Sequence, residues 1–175
     1  AEDGIRDVER SRGLGDVYKR QELGRGLGEY ILRRQRLMAV RLRMKLKRGS
    51  EELVLKALVS SGYETVEPEI LLPLEMAEKL NLIPKLPEGS EVKEYSLADG
   101  SSTRLIRIPK AAKASVVEED RTVGEVEVDV VVSERAEEAL ISDKLAGKLG
   151  IVALDFSEGL WCFKDEIGRL SRRSY

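Results

Sequence analysis

The sequence predicts an all-β domain: a closed or nearly closed barrel of short strands with one or two short helices. Three observations carry that expectation. Short apolar runs recur along the chain, separated by turn residues at close intervals. One of them, VRLRMKLK (Val40 to Lys47), alternates apolar and basic at every step, which is the period of a strand with one buried face. Only LEMAEKL and DKLAGKLG carry a helix-like pattern, and both are short. Many short strands beside two short helices belong to barrel-like architectures.

Taken in order, Val40, Leu42, Met44 and Leu46 are expected to face inward, with Arg41, Arg43, Lys45 and Lys47 facing out. Arg48-Gly49-Ser50 has turn chemistry, and LVLKALV (53–59) returns as a second strand that delivers the chain to Ser60-Ser61-Gly62. EILL (69–72) reads as a short buried strand. Pro73 then suits the first turn of a helix over 74–80 that packs Leu74, Ala77 and Leu80 inward. IPKLPEGSE is a Pro/Gly loop. VKEYSLA and SSTRLIRI flank Asp99-Gly100, a dipeptide that favours a tight hairpin turn. KASVVEE and GEVEVDVVV form a third pair around Asp120. ALI leads into a short helix capped by Ser142. IVALDF, the turn SEG and LWCFKDE close the domain as a last hairpin, and residues 169–175 read as a basic tail.

Of the 175 residues, 42% are hydrophobic, enough for one domain with a core. The net charge of −2 points to neither nucleic acid nor membrane. The basic residues are concentrated locally: 22–50 holds nine Lys/Arg against two acids, whereas 51–175 holds sixteen against twenty-five. There is no histidine, which excludes Ser-His-Asp and Cys-His catalysis and His-bearing zinc sites. The single Cys162 cannot form an intrachain disulfide. Together with the absence of any spanning-length apolar run or signal-peptide core, it leads to the expectation of a cytoplasmic protein outside the membrane. No metal or other cofactor is implied. One Asn and two Gln beside 35% charged residues fit the composition expected of a heat-adapted source.

Residues 1–37 stand apart. RGLGDVYKRQ (12–21) resembles a translated sequencing adapter, so 1–37 is expected to be a non-native or disordered extension, with the true start at Met38, at Met44 or upstream. Gly24, Gly26 and Gly28 follow no strand and lack phosphate-loop spacing.

In order and spacing, four motifs resemble the retropepsin-like aspartic proteases in a small archaeal-type branch. Leu58-Val59-Ser60-Ser61-Gly62 stands where that family has an apolar pair followed by Asp-Thr/Ser-Gly, and MAEKLNL follows like the family's LAEKLGL helix. Ala98-Asp99-Gly100 matches a mid-chain hairpin. Leu140-Ile141-Ser142-Asp143, then Gly150-Ile151 and Leu154-Asp155, match the second motif, with Ser142 in place of the usual Gly. The resemblance spans about 39–166 and implies a retropepsin-like domain over 38–168. It also implies a homodimer in which each copy supplies one half of the site, a cleft floored by Ser60-Ser61-Gly62, and a flap carrying Asp99 and Gly100.

It further implies lost chemistry. The family's dyad is two carboxylates sharing one proton, one acting as base toward water and the other as acid toward the carbonyl. A Ser60 pair presents only hydroxyls. Losing one positioned base alone costs ~10²–10⁴-fold in rate. No catalytic residue is therefore assigned, and the expected function is a homodimeric module that binds an extended peptide or protein segment. The alternatives are a peptidase on non-standard residues, with Lys56 or Lys144 as the base for Ser60, and a purely structural dimer with a filled cleft. Asp99 and Asp143 are accounted for by a tight turn and a helix first turn. The basic face Arg41/Arg43/Lys45/Lys47 lacks interleaved aromatics and is expected to be a solvated strand surface, with nucleic acid not a partner. Trp161 and Phe163 share one strand face, which is either dimer interface or ordinary core.

Overall fold

The period-2 stretch after Val40 becomes strand β1 (Arg41–Arg48) in the computed structural model, which describes residues 39–175. The expected extension at 1–37 and the start at Met38 lie outside the described residues. β1 pairs antiparallel with β2 (Glu51–Val59) from Arg41↔Leu58 to Arg48↔Glu51, across a turn in which Gly49 takes φ +58°. Val40, Leu42, Met44 and Leu46 are completely buried, as the alternation requires. The outward basic residues are partly absorbed by the fold. Arg41 grips Glu138 at 2.8 Å, and the Arg43 Nε donates to the Val117 carbonyl.

β3 (Glu69–Pro73) runs directly into helix α1 (Leu74–Lys79), for which Pro73 is the N-cap residue. β4 (Glu91–Ser96) and β5 (Ser102–Val117) form the hairpin, followed by β6 (Thr122–Ser133), β7 (Ala139–Ile141) and helix α2 (Asp143–Lys148). The strand order β1-β2-β7-β3-β6-β5 returns to β1 through the pairing Met44↔Val116 to Lys47↔Lys113, so six strands close a barrel. β4 is bonded only to β5, outside the ring. β3 runs parallel to β6 and antiparallel to β7, and β2 runs parallel to β7. An apolar cluster fills the barrel, from Leu42 and Ile70 to Val130 and Leu145.

SSTRLIRI and KASVVEE, read from sequence as separate strands, are one sixteen-residue strand. It is bent by an irregularity between Ile108 and Ala112, where Pro109 has no N–H to pair and Lys110 takes φ +48°. The Lys110 N–H is recovered by the Asp129 carboxylate at 2.7 Å. A second bulge, at Gly124 and Glu125 opposite Ala114 and Ser115, bends the same pair of strands, and such bends let a strand pair curl into a barrel.

β8 (Ile151–Asp155), β9 (Leu160–Phe163) and β10 (Arg172–Arg173) form a separate three-stranded sheet, with a 3-10 turn at Lys164–Glu166. Trp161 and Phe163, edge to face at 5.1 Å, belong to the barrel's core, which resolves the choice between interface and core. The stretch read as a basic tail carries β10. Arg172 lies over both aromatic rings and pairs with Glu166 at 2.6 Å and Asp120 at 2.7 Å. The Tyr175 N–H reaches the Arg41 carbonyl, and its hydroxyl donates to Glu118.

The Arg172 guanidinium, and then the Phe163 N–H, hold the Glu166 carboxyl at about 2 against an ordinary 4.5, outweighing the burial that pushes it up. A carboxyl depressed in the folded state contributes stability that is fully present above its unfolded pKa. That stability is lost as pH falls through the folded value. The clamp on β10 should therefore hold above pH 4.5 and release between there and about pH 2. An acid titration followed by Trp161 fluorescence should show this step, and Arg172→Met should lack it. The same step in both proteins would remove Arg172 as its cause.

Candidate functional site

The two sequence motifs meet through main-chain bonds. β2 ends at Val59, and Ser60 donates its N–H to the Ile141 carbonyl at the end of β7. The turn closes with the Tyr63 N–H on the Ser60 carbonyl, and the Tyr63 carbonyl accepts from the Asp143 N–H at 3.1 Å. The Asp143 carboxylate in turn accepts the Thr65 N–H. Ser60-Ser61-Gly62 and Leu140-Ile141-Ser142-Asp143 are thus one structural unit. Leu140 faces Leu58 on one side and Leu71 on the other because β7 lies between β2 and β3.

Ser142 is completely buried. Its Oγ accepts the Leu145 N–H at 3.2 Å, capping α2, and the Glu69 N–H at 3.1 Å. Its own N–H donates to the Glu69 carbonyl. A glycine there would leave both N–H groups without this acceptor.

Ser60 is half-buried, while Ser61 and Gly62 are exposed, and neither hydroxyl makes a hydrogen bond among the described residues. Lys56 and Lys144 are exposed, and no hydrogen bond joins either ammonium to Ser60. Asp99 is exposed at the hairpin tip and accepts the Ser101 N–H at 2.9 Å and hydroxyl at 2.6 Å, bonds that hold its carboxyl below the usual range. Gly100 takes φ +82° beside it. Asp99 therefore builds the turn.

Residues that the sequence reading did not single out hold the hairpin root against the Ser60–Tyr63 turn. Glu69, at the start of β3, is 1% exposed. Its Oε1 is 2.9 Å from Lys93 Nζ and 3.3 Å from Arg107 Nε. Its Oε2 accepts from the hydroxyls of Tyr63 at 2.9 Å and Tyr95 at 3.1 Å. Arg107 also bonds Glu91 at 2.6 Å and the buried Asp129. The rings of Tyr63 and Tyr95 meet edge to face at 6.3 Å. Burial and then the Glu69 charge push both phenols well above their ordinary value, so they are neutral hydrogen-bond donors and not nucleophiles. A signal was present in the sequence: Glu69 opens the apolar run EILL, and Arg107 and Asp129 are charges set inside RLIRI and VDVVV. Charges at such positions need buried partners.

Cavities of about 380 Å³ beside Lys110 and Glu127, about 470 Å³ under the Ile83–Glu88 loop and about 400 Å³ beside Leu149 and Phe163 border neither Ser60-Ser61-Gly62, Asp99-Gly100 nor Leu140-Ile141-Ser142-Asp143. No group of three or more His, Cys, Asp or Glu among the described residues is arranged to hold a metal ion. No described helix is long and apolar enough to cross a membrane. Compared with protein-family models and with curated proteins, the chain matches none.

Proposed function

We propose that this chain is a catalytically silent, retropepsin-like module that works as a homodimer and captures an extended peptide between the Ser60-Ser61-Gly62 turn and the β4–β5 hairpin. One observation carries the reading. Two motifs separated by some eighty residues in sequence are bonded into one unit, and the hairpin reaches that unit through Tyr95. Where the family pattern puts a carboxylate, the unit presents a Ser60 hydroxyl with no base bonded to it. Capture by main-chain pairing needs an open strand edge and no dyad, and β4 pairs with β5 on one side only.

Dimerisation has its own support. β8 ends the three-stranded sheet and carries no charge from Ile151 to Leu154, while Leu154 and Phe156 beside it are about half exposed. An uncharged edge strand invites pairing with another copy. The filled-cleft reading is favoured by a different observation: Tyr63, Tyr95 and Lys93 occupy the space between turn and hairpin root.

The test is hydrolysis of a mixed peptide library by the full chain and by Ser60→Asp. The parent should be silent and the variant should cleave at acid pH, where a shared-proton dyad works. Cleavage by the parent that Lys56→Met abolishes would replace this reading with a serine–lysine peptidase. Peptides retained by the parent but not cleaved separate capture from the filled-cleft form.

A further inference from the structure

The hairpin has little apolar hold on the barrel. From Glu91 to Arg107 no residue is fully buried, and Val92 and Leu97 lie 69% and 48% exposed. β4 touches only β5 in the sheet. Yet its inner face is tied down: Lys93 and Tyr95 both end on the carboxylate of Glu69. That carboxylate does not move with the hairpin. Its backbone is pinned to Ser142, and its side chain is bonded to Tyr63 of the floor turn.

We infer that Glu69 is the catch of a polar latch, with Lys93 and Tyr95 as its tongue, that holds the β4–β5 hairpin down over the Ser60–Tyr63 turn. Charge-assisted bonds of this kind are directional and are lost together once the donors move away. A segment held by polar contacts and without buried apolar side chains opens locally before the barrel unfolds. Release therefore lifts the hairpin away from Tyr63 of the turn while leaving the ring of six strands intact. The latch is a property of the chain whether or not a peptide is captured, so it stands or falls apart from the proposed function.

The experiment places spin labels at Ala98→Cys on the hairpin tip and at Ser61→Cys on the turn, both exposed positions, while Cys162 is buried away from the label. Labelled chains are diluted with excess unlabelled protein so that only intramolecular distances are read. The parent should give one short distance population. Lys93→Met with Tyr95→Phe, which leaves Glu69 bonded to Tyr63 and near Arg107, should add a second, longer population, and Glu69→Gln should do the same. Val92→Ala, on the outward face of the same strand, should leave the parental distribution unchanged. If the Lys93/Tyr95 double variant keeps the parental distance, there is no latch, whatever Glu69→Gln does. If Val92→Ala opens the hairpin equally, its attachment is not polar and the inference also fails. Should Glu69→Gln not fold, the double variant decides alone.

Discussion

Replacing Arg107 by methionine is expected to cost about 3–5 kcal/mol of folding stability, the range seen when one partner of a buried ion pair is removed. The guanidinium faces three carboxylates at once: its terminal nitrogens bond Glu91 and Asp129, and its Nε lies 3.3 Å from Glu69 without a hydrogen bond to it. Two of those acids are buried, Glu69 at 1% and Asp129 at 5% exposure. Methionine fills much of the same volume, so the loss reports charge and not a cavity. Asp129 would keep only the Lys110 N–H, which also holds the bend in β5, so the damage should spread from the hairpin into the barrel. Lysine at this position should recover only part of the loss, because a point charge cannot span three acids as a planar fork does. Urea unfolding midpoints check the series. A midpoint for Arg107→Met within experimental scatter of the parent would mean that the cluster does not hold the fold.

Gly124→Ala is the second large effect. Gly124 lies in the bulge between β5 and β6 with φ +117°, a conformation costly for any residue with a side chain. An added Cβ would stand 2.7 Å from the Leu149 Cδ2, 2.9 Å from the Ala114 carbonyl oxygen and 3.2 Å from the Ser115 Cα. The leucine end can swing aside; the two backbone atoms cannot. Backbone strain of about 1–3 kcal/mol adds to overpacking of about 1–3 kcal/mol, so a loss near 3 kcal/mol is expected. Gly124→Val should lose more. Gly147→Ala in α2 is the contrast: nothing lies within 4 Å of its added Cβ, and a helical alanine should stabilise by about 0.5–1 kcal/mol. Thermal melts that lower both alanine variants alike would show that the bulge has no special geometry.

The elements that rest on local chemistry were legible in the sequence. The alternation of β1 carried its buried face residue by residue, because the strand period is two and neighbouring side chains must point to opposite sides. The Ser142 cap and the Asp99-Gly100 turn were readable for the same reason. Each is made by hydrogen bonds within three residues, Ser142 to Leu145 and Asp99 to Ser101. Of the candidate site, the turn and the second motif were named from sequence, but not the chemistry that binds them to the hairpin. Glu69, Arg107 and Asp129 are separated by up to 60 positions, and their pairing exists only once β3, β5 and β6 lie side by side.

The sequence by itself determined the class of the fold, the faces of β1, the Ser142 cap and the Asp99-Gly100 turn, since these depend on spacing and on bonds a few residues long. Tertiary structure decided which strands are neighbours: that β3 enters between β6 and β7, that β5 continues through its bend, and that Arg172 draws the last residues onto Trp161 and Phe163. It also decided that the hairpin is tied down by a carboxylate from a distant strand. The physical reason is the same in each case. A lone charge or a short apolar run states a need for a partner, and only closure of the barrel selects the partner that meets it.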